Sequence, residues 1–504
     1  MLHTPHLNNQ TFQPVQEVKP LLVPRIVHLG CGAFHRAHQA LYTHLLFEQF
    51  LSNWGYCEIN LMSDSGAVLI NQLNKYNGHY TLLEKDEEKS TVRTIKVIKE
   101  AMHPRIDGID AVVEKMASPD TAIISLTVTE KGYCLSPATD LLNLSHPNIQ
   151  HDIAHPTKPR SVLGYIVASL RLRFQRQQPP ITILSCDNIR KNGEAARRAI
   201  VGLAAQQDKQ LAQWIDQHIS FPSTMVDRIV PAMTQESYAE IKQLIGRDDP
   251  CAIICESFRQ WVIEDNFVNG RPDWQHVGAQ FVPDVTPYEM MKLRMLNGSH
   301  SFLAYLGYLG GYEFISDAMQ NSDYSRAAYS LIINEQAPTL FIPDNTTLLQ
   351  YTQTLIKRFS NKTIKHKTAQ IAADGSQKLP QRLLDSIMWH QKHGSDYAFL
   401  ALGVAAWMKY VSGQDEQGNA IDIKDPLQHK FAEIYHLCGV GLEAVDRLLA
   451  INAIFPLEFS QNQDIVKNVK TAYQQLISVG ARETVKHYLQ QNSKVRLTLF
   501  IHKN

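Results

Sequence analysis

No apolar run in this chain is long enough to cross a bilayer. The longest, residues 301–312 and 398–408, fall well short of the roughly 20 residues that a spanning helix needs, so no membrane role is expected. An excess of one charge is also missing, with Lys plus Arg at 49 and Asp plus Glu at 49. A nucleic-acid binder normally carries a basic surplus to neutralise phosphates, so that class is set aside. An anionic small molecule is not excluded, because a local cationic pocket needs few residues. Cysteine is sparse and unpatterned. The seven (Cys31, Cys57, Cys134, Cys186, Cys251, Cys255, Cys438) include no CxxC pair, and Cys251/Cys255 has no second ligand pair at zinc-site spacing. Reduced thiols and no metal are therefore expected. Residues 1–20 are polar and punctuated by proline, without an apolar signal core, which makes a cytoplasmic location the expectation.

What is present is a soluble composition, 44% hydrophobic and 19% charged, in 504 residues, more than one ordinary core requires. The first half alternates strand-like and helix-like segments. Residues 25–29 read as a strand ending in Gly30-Cys31-Gly32, and 35–50 read as a helix. Further strands are expected at 56–62, 121–128 and 181–186, the last entered through Pro179-Pro180. The 121–128 run is almost continuously apolar, as a central parallel strand would be. From about Tyr288 long helical periodicities take over, and Asp284-Val-Thr-Pro287 marks the boundary. The expected fold class is α/β. A Rossmann-type dinucleotide-binding domain would occupy residues 1–285 and a mainly α-helical substrate domain residues 286–504. The tail 493–504 shows an apolar alternation with no assigned role.

Gly30-x-Gly32 follows a strand and opens a helix, the arrangement in which a tight turn lets backbone amides approach a pyrophosphate. The expected cofactor-binding stretch is Ile26, Val27, His28, Leu29, Gly30, Cys31, Gly32, Ala33, Phe34, His35, Arg36 and Ala37. His35 replaces the usual third glycine, and a ligand-free glycine turn is the competing reading. Asp64, after the second strand, is the candidate acidic partner of the ribose and favours NAD over NADP, with a plain loop aspartate as its rival.

Lys292, Asn297 and His300 lie in one helical segment, within an arc of roughly 140° if the winding is α. A reducible carbonyl needs a proton donor and fixed dipoles around its oxygen. A lysine of lowered pKa and carboxamides can supply them. Asn188 ends another predicted strand, and Asp227 and Lys378 add polar groups from separate segments. An amphipathic helix with an exposed Lys292 and a capping Asn297 is the plainer alternative, as is a turn at Asp187-Asn188.

Seven stretches, in order along the chain, together resemble the polyol-specific long-chain dehydrogenase/reductase (mannitol dehydrogenase) family. They are Gly30-x-Gly32-Ala-Phe34-His35-Arg36-Ala-His38, Ser125–Tyr133, Ser185-Cys-Asp-Asn188, Phe221–Arg228, Trp261-x-x-Glu-Asp265, Lys292-x-x-x-Leu-Asn297-Gly-Ser-His300 and Asp374-Gly-Ser. The resemblance implies NAD-dependent, zinc-independent hydride transfer between the two domains. It also implies Lys292 as general acid/base, Asn188 and Asn297 on the reacting oxygen, and His300 orienting the substrate, with Asp227 and Lys378 in the substrate pocket. Gln370 stands where mannitol dehydrogenases tend to place an arginine. Stretches such as 260–272 and 374–382 look more like the branch that interconverts D-fructuronate and D-mannonate. A carboxylate substrate calls for a forked cation, and Arg382 is the candidate. The expected partner is a small-molecule sugar acid or polyol, and the expected state a monomer or small homo-oligomer. A polyol dehydrogenase acting on mannitol or arabinitol is one rival. A nucleotide-binding sensor without turnover is another, against which Lys292, Asn188, Asn297 and His300 together speak.

Overall fold

The computed structural model describes residues 20–136, 139–343 and 346–492. The polar segment 1–19 and the tail 493–504 lie outside the described residues. Strands are β1 (Val23–Leu29), β2 (Trp54–Ile59), β3 (Tyr80–Lys85), β4 (Ser90–Ile95), β5 (Ile98–Met102), β6 (Ile123–Leu126), β7 (Thr182–Ser185), β8 (Thr224–Asp227), β9 (Ile253–Glu256), β10 (Gln260–Glu264) and β11 (Gln280–Val282). The main sheet is wholly parallel, in the order β5-β2-β1-β6-β7, with helices on both faces. The near-continuous apolar runs follow from that double covering. Ile26, Tyr56, Ile123 and Leu184 enter one core, while their neighbours Val27, Cys57, Ile124 and Ile183 enter the core on the other face. Two small sheets, β11-β10-β8 and β4-β3-β9, pack beside it. β1 and β6 are adjacent at the centre, where strand order reverses, and ligands bind outside the carboxyl ends of strands at such a point.

From Thr286 onward the described elements are helices around a separate core. The chain is thus α/β, with an N-terminal Rossmann domain and a mainly helical C-terminal one. The apolar stretches near 301 and 398 are the buried centre of this half, helices Ser299–Leu309 and Ala398–Tyr410. Among the described residues no helix is long and apolar enough to cross a membrane. Two local forms differ from the sequence expectation. The helix expected over 35–50 is broken at His38 (φ −123°, ψ −87°), whose Nε2 pairs with the Gln260 carbonyl. The segment Lys292–Gly298 winds as a π-helix rather than an α-helix, and so do Leu331–Gln336 and Pro380–Leu384.

Candidate active site

A cavity of about 620 Å³ lies over the 30–32 turn, walled also by Ser63, Ser65, Gly66, Thr127 and Thr129. Gly30 has φ +97°, and a Cβ there would sit 2.2 Å from the Thr127 carbonyl oxygen, so no other residue fits. Gly32 acts differently: its backbone is ordinary, but any side chain would stand in the space it lines. A bare turn at the carboxyl ends of β1 and β6, ringed by hydroxyls, suits a dinucleotide.

The expected cofactor stretch divides in two. Leu29, Gly30, Cys31, Gly32 and Arg36 line this cavity, and Ala33 and Phe34 line the next. Ile26, Val27 and Ala37 are core residues instead. His28 and His35 are also buried. Their rings stack 3.4 Å apart, His35 Nε2 pairs with Glu58 Oε1 at 2.8 Å, and His28 pairs with Ser125 and Thr127. The residue in the third glycine's place thus anchors the helix to β2 and touches no ligand space. Burial lowers both histidines to about 3 and raises Glu58 to about 7. These three are metal-ligand types in close quarters. Stacked rings keep their in-plane lone pairs in near-parallel planes 3.4 Å apart, however, which do not meet at one ion. Arg36 spends its guanidinium on the Gly32 and Cys251 carbonyls. Asp64, 84% exposed, begins the helix Asp64–Lys75 and pairs outward with Arg105, so the expected ribose partner does not line the cavity, although Ser63 and Ser65 do.

A second cavity, about 770 Å³, shares Gly32, Thr127 and Thr129 with the first and opens between the two halves. Lys292, Asn188, Asn297, His300, Asp227, Lys378 and Arg382 all line it. Lys292 is 8% exposed, and its Nζ donates to Asn188 Oδ1 at 2.7 Å. Burial pulls its pKa down to about 8. Asp227 and Glu289 oppose the shift, and Arg382 and Arg358 add to it. The π winding explains how Asn297 joins the lysine. At α spacing, positions i and i+5 point about 140° apart, whereas i→i+5 hydrogen bonding brings them onto one face. Asn297 Nδ2 is buried with no protein partner. Asn188 is held by its neighbours. Asp187 accepts from the Val128 and Thr129 amides and from the Tyr133 hydroxyl, and Asn192 bridges Asp187 to Thr224.

Lys378 donates to the Ala373 carbonyl at 2.5 Å and is lowered to about 8 by burial, aided by Arg382. Arg382 Nη1 donates to Ser301 Oγ at 3.0 Å, and its Nε has no protein partner. Burial lowers it to about 10, still fully cationic at neutral pH. Arg294 does not line the cavity and donates to the Thr339 carbonyl. Asp227 differs from the expected substrate ligand: its two oxygens accept from Arg358 Nη1 and Nη2, both at 2.8 Å.

Three participants went unnoticed in the sequence. Arg358 carries no motif. Glu289, whose carboxyl burial lifts to about 7, stands one turn before Lys292 and accepts from the Lys191 amide. His366 lines the cavity, edge-on to His300 at 5.3 Å. Only the 3–4 residue spacing of Glu289 before Lys292 offered a signal.

Gly298 lets the π segments meet. A Cβ there would lie 2.7 Å from Gln336 Nε2 and 2.8 Å from the Arg382 carbonyl. Gly298→Ala is expected to shift Asn297 and Arg382 together and lower turnover roughly 10²-fold, as misplacement by an ångström does. Turnover within about twofold of the parent, in a variant of unchanged Tm, would contradict that.

The family model "Mannitol dehydrogenase Rossmann domain" matches residues 24–276, and "Mannitol dehydrogenase C-terminal domain" matches 284–477. The chain is 57% identical over 464 residues to D-mannonate oxidoreductase of Escherichia coli K12, covering 92% of this chain and 95% of that one. It is 50% identical over 482 residues to an uncharacterised oxidoreductase of the same organism, covering 96% and 98%. Among solved structures, the Pseudomonas fluorescens mannitol 2-dehydrogenase ternary complex with NAD and D-mannitol superposes with a TM-score of 0.86 at 36% identity, covering 93% of this chain and 95% of that one. With both domains matched across most of its length, the chain belongs to the mannitol dehydrogenase family.

Proposed function

We propose that this oxidoreductase interconverts D-fructuronate and D-mannonate with NAD, in the cytoplasm and as part of hexuronate breakdown. The observation that carries the reading is one cavity lined by a buried lysine–carboxamide pair together with the Arg382 guanidinium and Lys378. The likeness to D-mannonate oxidoreductase supports it. Residues 30–32 with Ser63, Ser65 and Thr129 would hold the dinucleotide, with the domain boundary near residue 285. Bound NAD supplies the hydride acceptor and, when reduced, the donor.

Lys292 Nζ faces the substrate hydroxyl. In oxidation the neutral amine takes the hydroxyl proton as the carbinol C–H bond yields its hydride and a ketone forms. In reduction the ammonium returns that proton to the oxygen. Asn297 Nδ2 donates to this oxygen as charge gathers there, while Asn188 Oδ1 fixes the lysine. His300, neutral because burial holds its pKa well below the ordinary value, orients a hydroxyl. Arg382 and Lys378 hold the carboxylate.

Oxidation needs the amine and reduction the ammonium. The kcat/KM for oxidation should therefore climb through about pH 8 and that for reduction fall above it. Initial rates in both directions across neutral and alkaline pH check this; profiles that do not cross would contradict it. A turnover screen of hexonates and polyols with NAD and NADP tests the whole reading. D-Mannitol bound to the solved relative gives a neutral polyol as the second reading. Preference for mannitol in that screen would favour it.

A further inference from the structure

Behind Lys292 lies a charged cluster that spans the two halves. Arg358 belongs to the helix Leu348–Ser360, whereas Asp227 ends β8 and Glu256 ends β9. Arg358 donates to both oxygens of each carboxylate: to Asp227 at 2.8 and 2.8 Å, and to Glu256 at 3.0 and 2.8 Å. All three side chains are buried, and the guanidinium lies over the Phe258 ring at 4.0 Å. One cation and two anions thus meet in one buried cluster, whose Asp227 lines the same cavity as Lys292. Burial raises the Asp227 carboxyl, but Arg358 outweighs it and holds the group below the usual range. Glu256 is raised by its burial despite the same arginine. Lys292 lies in the field of Asp227, Arg382, Arg358 and Glu289, while His300, neutral, lines the same cavity.

Two facts make this arrangement more than a tie between domains. Asp227 alone would pair electrostatically with Lys292 and keep it an ammonium, which cannot accept a proton. Its oxygens are aimed instead at a guanidinium carried by the other half of the chain, in a fork geometry that lysine could not supply.

We infer that Arg358 is a positioning residue that acts through Asp227: by neutralising that carboxylate from across the cleft, it leaves Lys292 free to lose its proton. The inference rests on Lys292 being the acid/base. Arg358 is not among the residues lining the cavity; its charge decides the protonation state of a neighbour.

Arg358→Met unmasks Asp227, and an uncompensated carboxylate beside an amine raises its pKa by about one unit or more. The oxidation limb of the pH profile, measured with D-mannonate and NAD, should move to higher pH by that amount. Reduction of D-fructuronate should persist to correspondingly higher pH. Glu256→Gln removes the competing carboxylate, gives Arg358 wholly to Asp227, and should move both limbs the other way. Arg358→Lys keeps the charge and should return most of the Arg358→Met shift. A purely structural arginine would lower Tm and rates without displacing either limb. The pH dependence of Lys292 acetylation by acetic anhydride, read by peptide mass spectrometry, follows the same pKa without turnover. If Arg358→Met does not fold, the Glu256→Gln shift decides. Unmoved profiles and unmoved labelling in the folded variants overturn the inference. Turnover near normal in Lys292→Ala would instead remove the acid/base assignment beneath it.

Discussion

Replacing Lys292 with alanine is expected to lower turnover roughly 10³-fold in both directions while NADH still binds. The size follows from what is lost: a proton donor and acceptor already seated, 2.7 Å from the Asn188 carboxamide, with a pKa near working pH. Water has no comparable position, because the lysine is almost wholly buried. NADH binding survives because Lys292 lines the second cavity and not the one over the 30–32 turn. Fluorescence titration with NADH and steady-state rates on the same preparation separate the two effects. Turnover within about tenfold of the parent would dismiss the lysine as acid/base.

Arg382→Met should reduce kcat/KM for D-mannonate roughly 10²-fold and for D-mannitol far less. Truncating one partner of a buried charge pair costs about 3 kcal/mol, or about two decades. Methionine keeps much of the stem's volume, so packing against the π segment Lys292–Gly298 is spared more than alanine would spare it. Part of the loss will be common to both substrates, because Arg382 also donates to Ser301. The ratio of the two constants is therefore the informative quantity. An equal fall for both would assign the arginine to scaffolding and return the carboxylate reading to open competition with the polyol one.

Much of the architecture was legible in the residues. The strand and the Gly30-x-Gly32 turn appear where periodicity put them, and so does the following helix apart from its start at Ala33 and its break at His38, because apolar patterning and positive-φ glycine are local properties. The grouping of Lys292, Asn188, Asn297 and His300 in one cavity was legible from motifs, though these come from distant segments. What escaped was long-range or depended on winding. Nothing local to Asp227 says that a guanidinium more than a hundred residues later will take both its oxygens. His35 reads as a broken fingerprint until Glu58 and His28 are seen around it. Asp64 occupies the right stretch of chain, but its place at a helix start turns it to Arg105. Where one half supplies the cation and the other the anion, no window of sequence contains both.

The π turn at Lys292–Gly298 carries one last implication. A helix wound this way holds a surplus residue relative to its regular neighbours, and removing any one of them would let it relax to ordinary winding. Loss of one between Lys292 and Asn297 would leave the pair four apart, still on one face, whereas relaxation at unchanged length would set them about 140° apart without altering a single functional group. Reactivity here is written in winding as much as in residue identity, because the open turn is what sets the lysine and the carboxamide side by side.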